Sequence, residues 1–136
     1  MSQNNVEIIE RAYQAFARGD VPAVVEMFAD RLEHFEVVTD ASWKAPWHTT
    51  AKSRADVAAY FQILLGALEP QKFVWEHLAG GGDYVYATTQ QQYSVRKNGK
   101  TLVLRSAVHR FKLAGGRIVG WQASEDTLHT RDVLEG

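Results

Sequence analysis

Three ionisable side chains stand in apolar, strand-like surroundings where they could do chemistry: His109, Glu125 and Glu36. His109 lies in the run Thr101–Leu113, and Glu125 closes the run Arg117–Asp126, next to Asp126. Glu36 lies in Leu32–Val38, where Leu32, His34, Glu36 and Val38 share one face and Glu33, Phe35 and Val37 the other. A carboxylate and an imidazole inside an apolar pocket can be tuned to exchange protons near neutrality. Burial raises the carboxyl's proton affinity, and a neighbouring imidazole lowers it. The same two groups also serve as a structural hydrogen-bonded pair. An outward carboxylate, or one locked to an arginine such as Arg105, would favour ligand binding without turnover.

The elements that must hold these residues are readable. Gly115-Gly116 between two long β-rich runs marks a hairpin, and Asn98-Gly99 marks another. Residues 73–79, 84–95, 101–113 and 117–126 read as four strands of an antiparallel meander. Ahead of them, Val6, Ile9, Tyr13 and Phe16 form the apolar stripe of a helix over 6–18, capped by Asn4 or Asn5 and stopped by Gly19. Asp20 with Pro22 starts a second helix. Ser53 with Asp56 starts a third, which runs to about Leu68 and ends at Glu69-Pro70. Segregated helices and an antiparallel sheet predict an α+β fold with a cavity between its layers. One domain over 1–136 is expected, with its core over about 6–126 and a polar tail over 127–136 that is loose or packed outside.

Composition narrows the function. Fifteen basic and sixteen acidic residues are mixed along the chain, which shows no basic patch for nucleic acid and no polybasic membrane tract. The absence of cysteine excludes disulfides and thiolate chemistry. The polar start and the lack of a long apolar run predict a cytoplasmic protein. The five histidines show no metal-ligand spacing, so no metal and no cofactor are expected. His77 and His129 read as surface residues.

Other residues extend the candidate site. The loop from Thr39 to about Ala51 holds Trp43, Trp47 and His48; Trp47 could stack on a ligand with Trp121, and His48 could gate or bind. Tyr86 reads as cavity lining together with Tyr60 and Phe61. Thr88, Gln90 and Gln92 form a polar stripe on one strand face, which binds a ligand if concave and meets solvent or a partner if convex.

Six strings in order, Glu10-Arg-Ala-Tyr-Gln-Ala-Phe-Ala-Arg-Gly-Asp20, Met27-Phe-Ala-Asp30, Ser53-Arg-Ala-Asp-Val-Ala-Ala-Tyr-Phe61, Gly82-Asp-Tyr-Val85, His109-Arg-Phe111 and Gly116-Arg-Ile-Val119, resemble the SnoaL-like and ketosteroid-isomerase-like branch of the nuclear transport factor 2-like superfamily. The resemblance implies a cone-shaped, cystatin-like α+β barrel. It also implies a homodimer through the outer sheet face and a small apolar organic ligand. The family holds isomerases, cyclases, dehydratases and non-catalytic binding modules, so it leaves the function open. Counting from Phe28-Ala-Asp30 puts Glu36 at the general-base position of ketosteroid isomerase. Ala12 stands at that enzyme's helix-1 tyrosine, with Tyr13 one residue out of phase. His109 replaces its protonated aspartate. The family register turns Thr88, Gln90 and Gln92 inward, and alternation along the last strand turns Val119, Trp121, Ala123 and Glu125 inward and Asp126 outward. SnoaL-like cyclases carry an acid where Glu125 and Asp126 lie. The expected site is therefore Glu36, His109 and Glu125 as proton-transfer groups. His34, Trp47, His48, Tyr86, Thr88, Gln90 and Trp121 would surround the ligand.

Overall fold

A computed structural model describes residues 2–39 and 42–136, with side chains from Asn4 onward. Asp40 and Ala41 of the expected aromatic loop lie outside the described residues, as does Met1. The elements are α1 (Ser2–Ala17), α2 (Val21–Glu26), β1 (His34–Val37), α3 (Arg54–Ala67), β2 (Leu68–Gly81), β3 (Tyr84–Val95), β4 (Thr101–Ala114), β5 (Arg117–Ser124) and α4 (Thr127–Glu135). The sheet order is β1-β5-β4-β3-β2; β1 runs parallel to β5 and every other pair is antiparallel. This is the expected α+β architecture: a curved, unclosed sheet whose concave face is covered by the N-terminal helices. No helix among the described residues is long and apolar enough to cross a membrane.

Local chemistry explains most boundaries. The Asp20 side chain accepts from the Ala23 N–H at 3.2 Å, and the Ser53 hydroxyl accepts from the Asp56 N–H at 3.2 Å, so both helix starts form as their cap residues dictate. Gly19, at φ +80°, ends α1 with its own N–H on the Phe16 carbonyl. The start of α1 differs from expectation, because the helix extends back to Ser2 and takes Asn4 and Asn5 inside it. Strand β2 begins at Leu68, directly after α3, and carries Pro70. Proline fits there because β2 is an edge strand and its register shifts between Pro70 and Lys72.

A bulge sets the shape of the pocket wall. Thr89 pairs with Ala107 and Gln91 with Leu104, so Arg105 and Ser106 oppose Gln90 alone. Ser106 takes φ +55° at this point. The inward side of β4 consequently switches from Leu102 and Leu104 to Ala107, His109, Phe111 and Leu113. Gln90 holds the bulge from outside. Its carbonyl accepts from the Ser106 N–H at 2.9 Å, and its amide donates to Glu76 at 2.8 Å.

The tail is not loose. Asp126 caps α4 by accepting from the His129 N–H at 2.9 Å, and Thr130 and Leu134 are buried. Trp43 Nε1 donates to Glu135 at 2.5 Å, which ties α4 to the aromatic loop.

The phase of β1 is also opposite to that expected. Phe35 and Val37 face inward, and His34 and Glu36 face outward. Phe35 sets this phase by packing on Trp121 at 4.7 Å, Tyr60 at 5.0 Å and Phe28 at 5.9 Å between ring centroids. Burying one such ring is worth about 1.5–3 kcal/mol, more than a four-residue strand gains by turning a carboxylate inward. The His34 ring then lies across Gly120, its register partner, where an added Cβ would come within 2.2 Å of the ring. Gly120→Ala should therefore destabilise by about 1–2 kcal/mol. His34→Ala in the same chain should recover most of that loss, because it removes the obstructing ring. Urea unfolding of the two single variants and the double variant checks both values; additive losses would contradict the contact.

Candidate functional site

The cone encloses a cavity of about 90 Å³, walled mainly by aromatic and aliphatic side chains from α1, α3, the aromatic loop and the sheet. Its polar groups are few and come from several elements. Strand β4, after its bulge, brings His109 inward, and the apolar stripe of α1 brings Tyr13 to meet it. The Tyr13 hydroxyl and His109 Nδ1 lie 2.8 Å apart. The direction of this bond follows from acidity: a phenol O–H is a stronger donor than an imidazole N–H, and an imidazole nitrogen is a better acceptor than a phenol oxygen. Tyr13 therefore donates, Nδ1 accepts, and the proton of the neutral ring resides on Nε2. Burial holds His109 neutral by lowering its pKa to about 4, and it raises that of the Tyr13 phenol. Trp121 packs edge-on against the imidazole at 5.3 Å and Tyr13 stacks on it at 5.9 Å, which fixes the ring plane. Among the described residues Nε2 has no hydrogen-bond partner, so its N–H is the group His109 can offer a ligand.

Glu125 brings the second ionisable group. Ala123 is the register partner of His109, and Glu125 follows two residues later, just past the end of β5 at Ser124. Its carboxyl contributes to the cavity wall, and burial pushes its pKa up to about 7. Tyr60 and Tyr93, also in the wall, have pKa values raised first by burial and then by the Glu125 charge. A carboxyl poised at neutrality and a fixed neutral imidazole donor in the wall of one apolar cavity are the parts of a general-base site.

Strand β3 adds a third polar feature. Its inward residues are Val85, Ala87, Thr89, Gln91, Tyr93 and Val95, all buried. The Tyr93 hydroxyl donates to Gln91 Oε1 at 2.6 Å, Gln91 Nε2 donates to the Thr89 hydroxyl at 2.8 Å, and Thr89 donates to the Ala107 carbonyl at 3.0 Å.

The structure brings His109, Glu125, Trp47 and Trp121 of the expected site to one cavity. It separates the others from it. Glu36 is exposed on the outer face and meets Gln122 at 3.5 Å, so the expected Glu36–His109 pair is not formed. His34 lies on the same outer face, over Gly120. Tyr86 is 45% exposed on the outer face, where Thr88 and Gln90 also lie, because β3 turns its odd-numbered residues inward. His48 is buried but outside the cavity wall. Its Nδ1 accepts the Ala45 N–H at 3.0 Å, and its ring meets Trp43 and Trp47 edge-on. Burial, reinforced by Lys44, lowers the His48 pKa to about 4, so it braces the loop as a neutral ring.

The residues that sequence reasoning missed are Tyr13, Gln91 and Tyr93. Tyr13 was within reach as a member of the α1 apolar stripe; counting to Ala12 placed the functional position one residue early. Gln91 and Tyr93 share a face with Val85, Ala87 and Val95, the more apolar side of β3. Among the described residues no group of three or more His, Asp or Glu is arranged to hold a metal ion.

Comparison with known proteins places this geometry. The family model described as "SnoaL-like domain" matches residues 9–121. No curated protein matches the chain. Among solved structures, an NTF2-like protein of unknown function from Burkholderia pseudomallei superposes with a TM-score of 0.84 at 21% identity, covering 100% of both chains. A protein provisionally named an isomerase, from Bacillus subtilis, gives 0.81 at 15% identity over 98% of this chain and 94% of its own. A protein provisionally named a SnoaL-like polyketide cyclase, from Mesorhizobium loti, gives 0.70 at 14% identity over 86% and 95%. At these identities the likeness is one of fold.

Proposed function

The chain belongs to the SnoaL-like domain family, and from that premise we propose that its cone is the site of a cofactor-free enzyme of the isomerase, cyclase or dehydratase type, moving protons on a small, largely apolar organic molecule. The observation that carries the reading is the Glu125 carboxyl, raised to a pKa of about 7 in the wall of the apolar cavity that His109 also lines. Ionised Glu125 takes a proton from a carbon next to a carbonyl. The electron pair moves onto the carbonyl oxygen, and His109 Nε2–H donates a hydrogen bond to the developing oxyanion. Glu125 then returns the proton to another carbon, or gives it to a leaving hydroxyl. A neutral imidazole suits this role because it supplies a donor without the charge that burial would penalise. Tyr13 is a positioning residue that holds the ring in the Nε2–H form. Names given to fold neighbours in the isomerase and cyclase classes support the reaction type.

The test is enzyme-dependent exchange of α-hydrogens for deuterium in small cyclic and short-chain ketones, followed by NMR. Exchange above the buffer rate supports proton transfer. The outward Glu36 favours a second reading, a binding module of the same fold; saturable ketone binding without exchange would support it.

We further propose that the chain pairs with a second copy through the outer face of the sheet. Val74, Tyr86 and Val108 expose apolar surface there. Sedimentation equilibrium at micromolar concentration should give twice the 15.3 kDa chain mass. A monomer would overturn this.

A further inference from the structure

The hydrogen-bond chain on β3 has a direction that its members cannot reverse. It is anchored on the Ala107 carbonyl, which carries no proton and can only accept. Thr89 is fully buried, so its single hydroxyl proton is committed to that carbonyl and its oxygen is left to accept. Gln91 must therefore turn its amide N–H₂ to Thr89 and its carbonyl oxygen to Tyr93. Tyr93 must in turn donate its only hydroxyl proton to Gln91, 2.6 Å away. What Tyr93 then offers the cavity is a phenol oxygen with a free lone pair, an acceptor and not a donor. His109 has the opposite sign. Tyr13 occupies its Nδ1, so it offers a donor, Nε2–H. The two groups also lie at different levels of the cone. His109 is level with Ala87, while Tyr93 is three inward-facing positions further along β3.

Resting on the reading of the cone as a small-molecule site, we infer that Tyr93 is a specificity-determining residue that selects substrates carrying a hydroxyl group remote from the carbonyl that His109 engages. The substrate class is a small hydroxycarbonyl compound, with its acceptor end toward His109 and its donor end toward Tyr93. A ligand with a second carbonyl or an ether oxygen at that end would set two lone pairs against each other and leave both unpaired, which is the stronger form of discrimination.

The experiment compares two matched pairs of different span: 4-hydroxycyclohexanone with cyclohexanone, and 4-(4-hydroxyphenyl)butan-2-one with 4-phenylbutan-2-one. Binding to the full chain is followed by tryptophan fluorescence, since Trp47 and Trp121 line the cavity. In at least one pair the hydroxyl compound should bind about tenfold more tightly. Tyr93→Phe should bring that ratio close to one. Thr89→Val, which removes the anchor while keeping the side-chain shape, should reduce it as well, because Gln91 and Tyr93 are then free to turn. Near-ultraviolet circular dichroism checks that each variant is folded. Ratios near one for both pairs in the wild type would overturn the inference, as would a preference that survives Tyr93→Phe. Failure here is separable from failure of the catalytic reading, because binding needs no turnover. A preference without deuterium exchange would leave the Tyr93 assignment standing and remove the catalytic one; exchange without a preference would do the reverse.

Discussion

Glu125→Gln is expected to lower enzyme-dependent deuterium exchange by about 10²–10⁴-fold, the usual worth of a positioned general base. Glutamine keeps the size of the side chain but cannot take up the proton. Glu36→Gln should leave the rate unchanged, because Glu36 is exposed on the far side of the sheet. The wild-type rate should climb as pH rises through about 7, where the Glu125 carboxyl ionises, and then level off. Stability should move the other way. The folded state holds the Glu125 proton up to about pH 7, whereas an unfolded glutamate releases it near 4.5. Between these values the folded state binds more protons, so stability falls as pH rises through the window. At pH 8 the wild type carries a desolvated carboxylate that the glutamine variant lacks. Glu125→Gln should therefore be more stable than wild type at pH 8, by on the order of 2 kcal/mol, and lose that advantage below about pH 5. A variant that loses activity and also loses stability at pH 8 would mark Glu125 as a structural residue.

The fold was legible because its signals are local. Ser53 with Asp56, Asp20 with Pro22, and the glycines of the two hairpins act within a few residues of where they stand, and the structure uses each of them. The phase of β1 was not legible for the opposite reason. Phe35 faces inward because Phe28, Tyr60 and Trp121 converge on it from three other elements, and nothing within Leu32–Val38 states that. The phase of β3 failed differently. Threonine and glutamine occur on both of its faces, since one polar set braces the outer bulge through Gln90 and the other runs inside from Thr89 to Tyr93. The inward face of β3 is still the more apolar of the two, with Val85, Ala87 and Val95, so it was the register taken from the resemblance, not the apolar alternation, that misplaced Thr88 and Gln90. His109 and Glu125 were found because strand alternation puts each on one side with apolar neighbours, Ala107 and Phe111 for His109 and Trp121 and Ala123 for Glu125.

Acidification should destabilise the protein more than the one raised carboxyl among the described residues can offset. His109 and His48 are both buried neutral, with pKa values lowered from 6.5 to about 4, mainly by burial. In the unfolded chain both protonate as the pH falls through 6.5, while in the folded chain they remain neutral until about 4. Across that interval the unfolded state binds more protons, so stability is lost on going down in pH, by up to roughly 3 kcal/mol for each histidine. Glu125 opposes this over nearly the same interval, since its folded state gains a proton between pH 7 and 4.5 that the unfolded state does not. The two buried histidines against one carboxyl leave a net loss of about 3 kcal/mol between pH 6.5 and 4, a large part of an ordinary domain's stability, and His34, its pKa also lowered first by burial, acts in the same direction. Urea unfolding at half-unit pH steps measures the slope. His109→Gln and His48→Gln should each flatten it by about one proton's worth, roughly 1.4 kcal/mol per pH unit, whatever they do to absolute stability. Glu125→Gln should steepen it by the same amount. The two histidine variants separate the functions of the rings: both change the pH slope, but only His109→Gln should also slow deuterium exchange, because His48 braces the loop outside the cavity. A wild type whose stability holds level from pH 6.5 to 4 would mean that the two imidazoles reach solvent or a counter-charge, and the fixed Nε2–H donor assigned to His109 would fail with it.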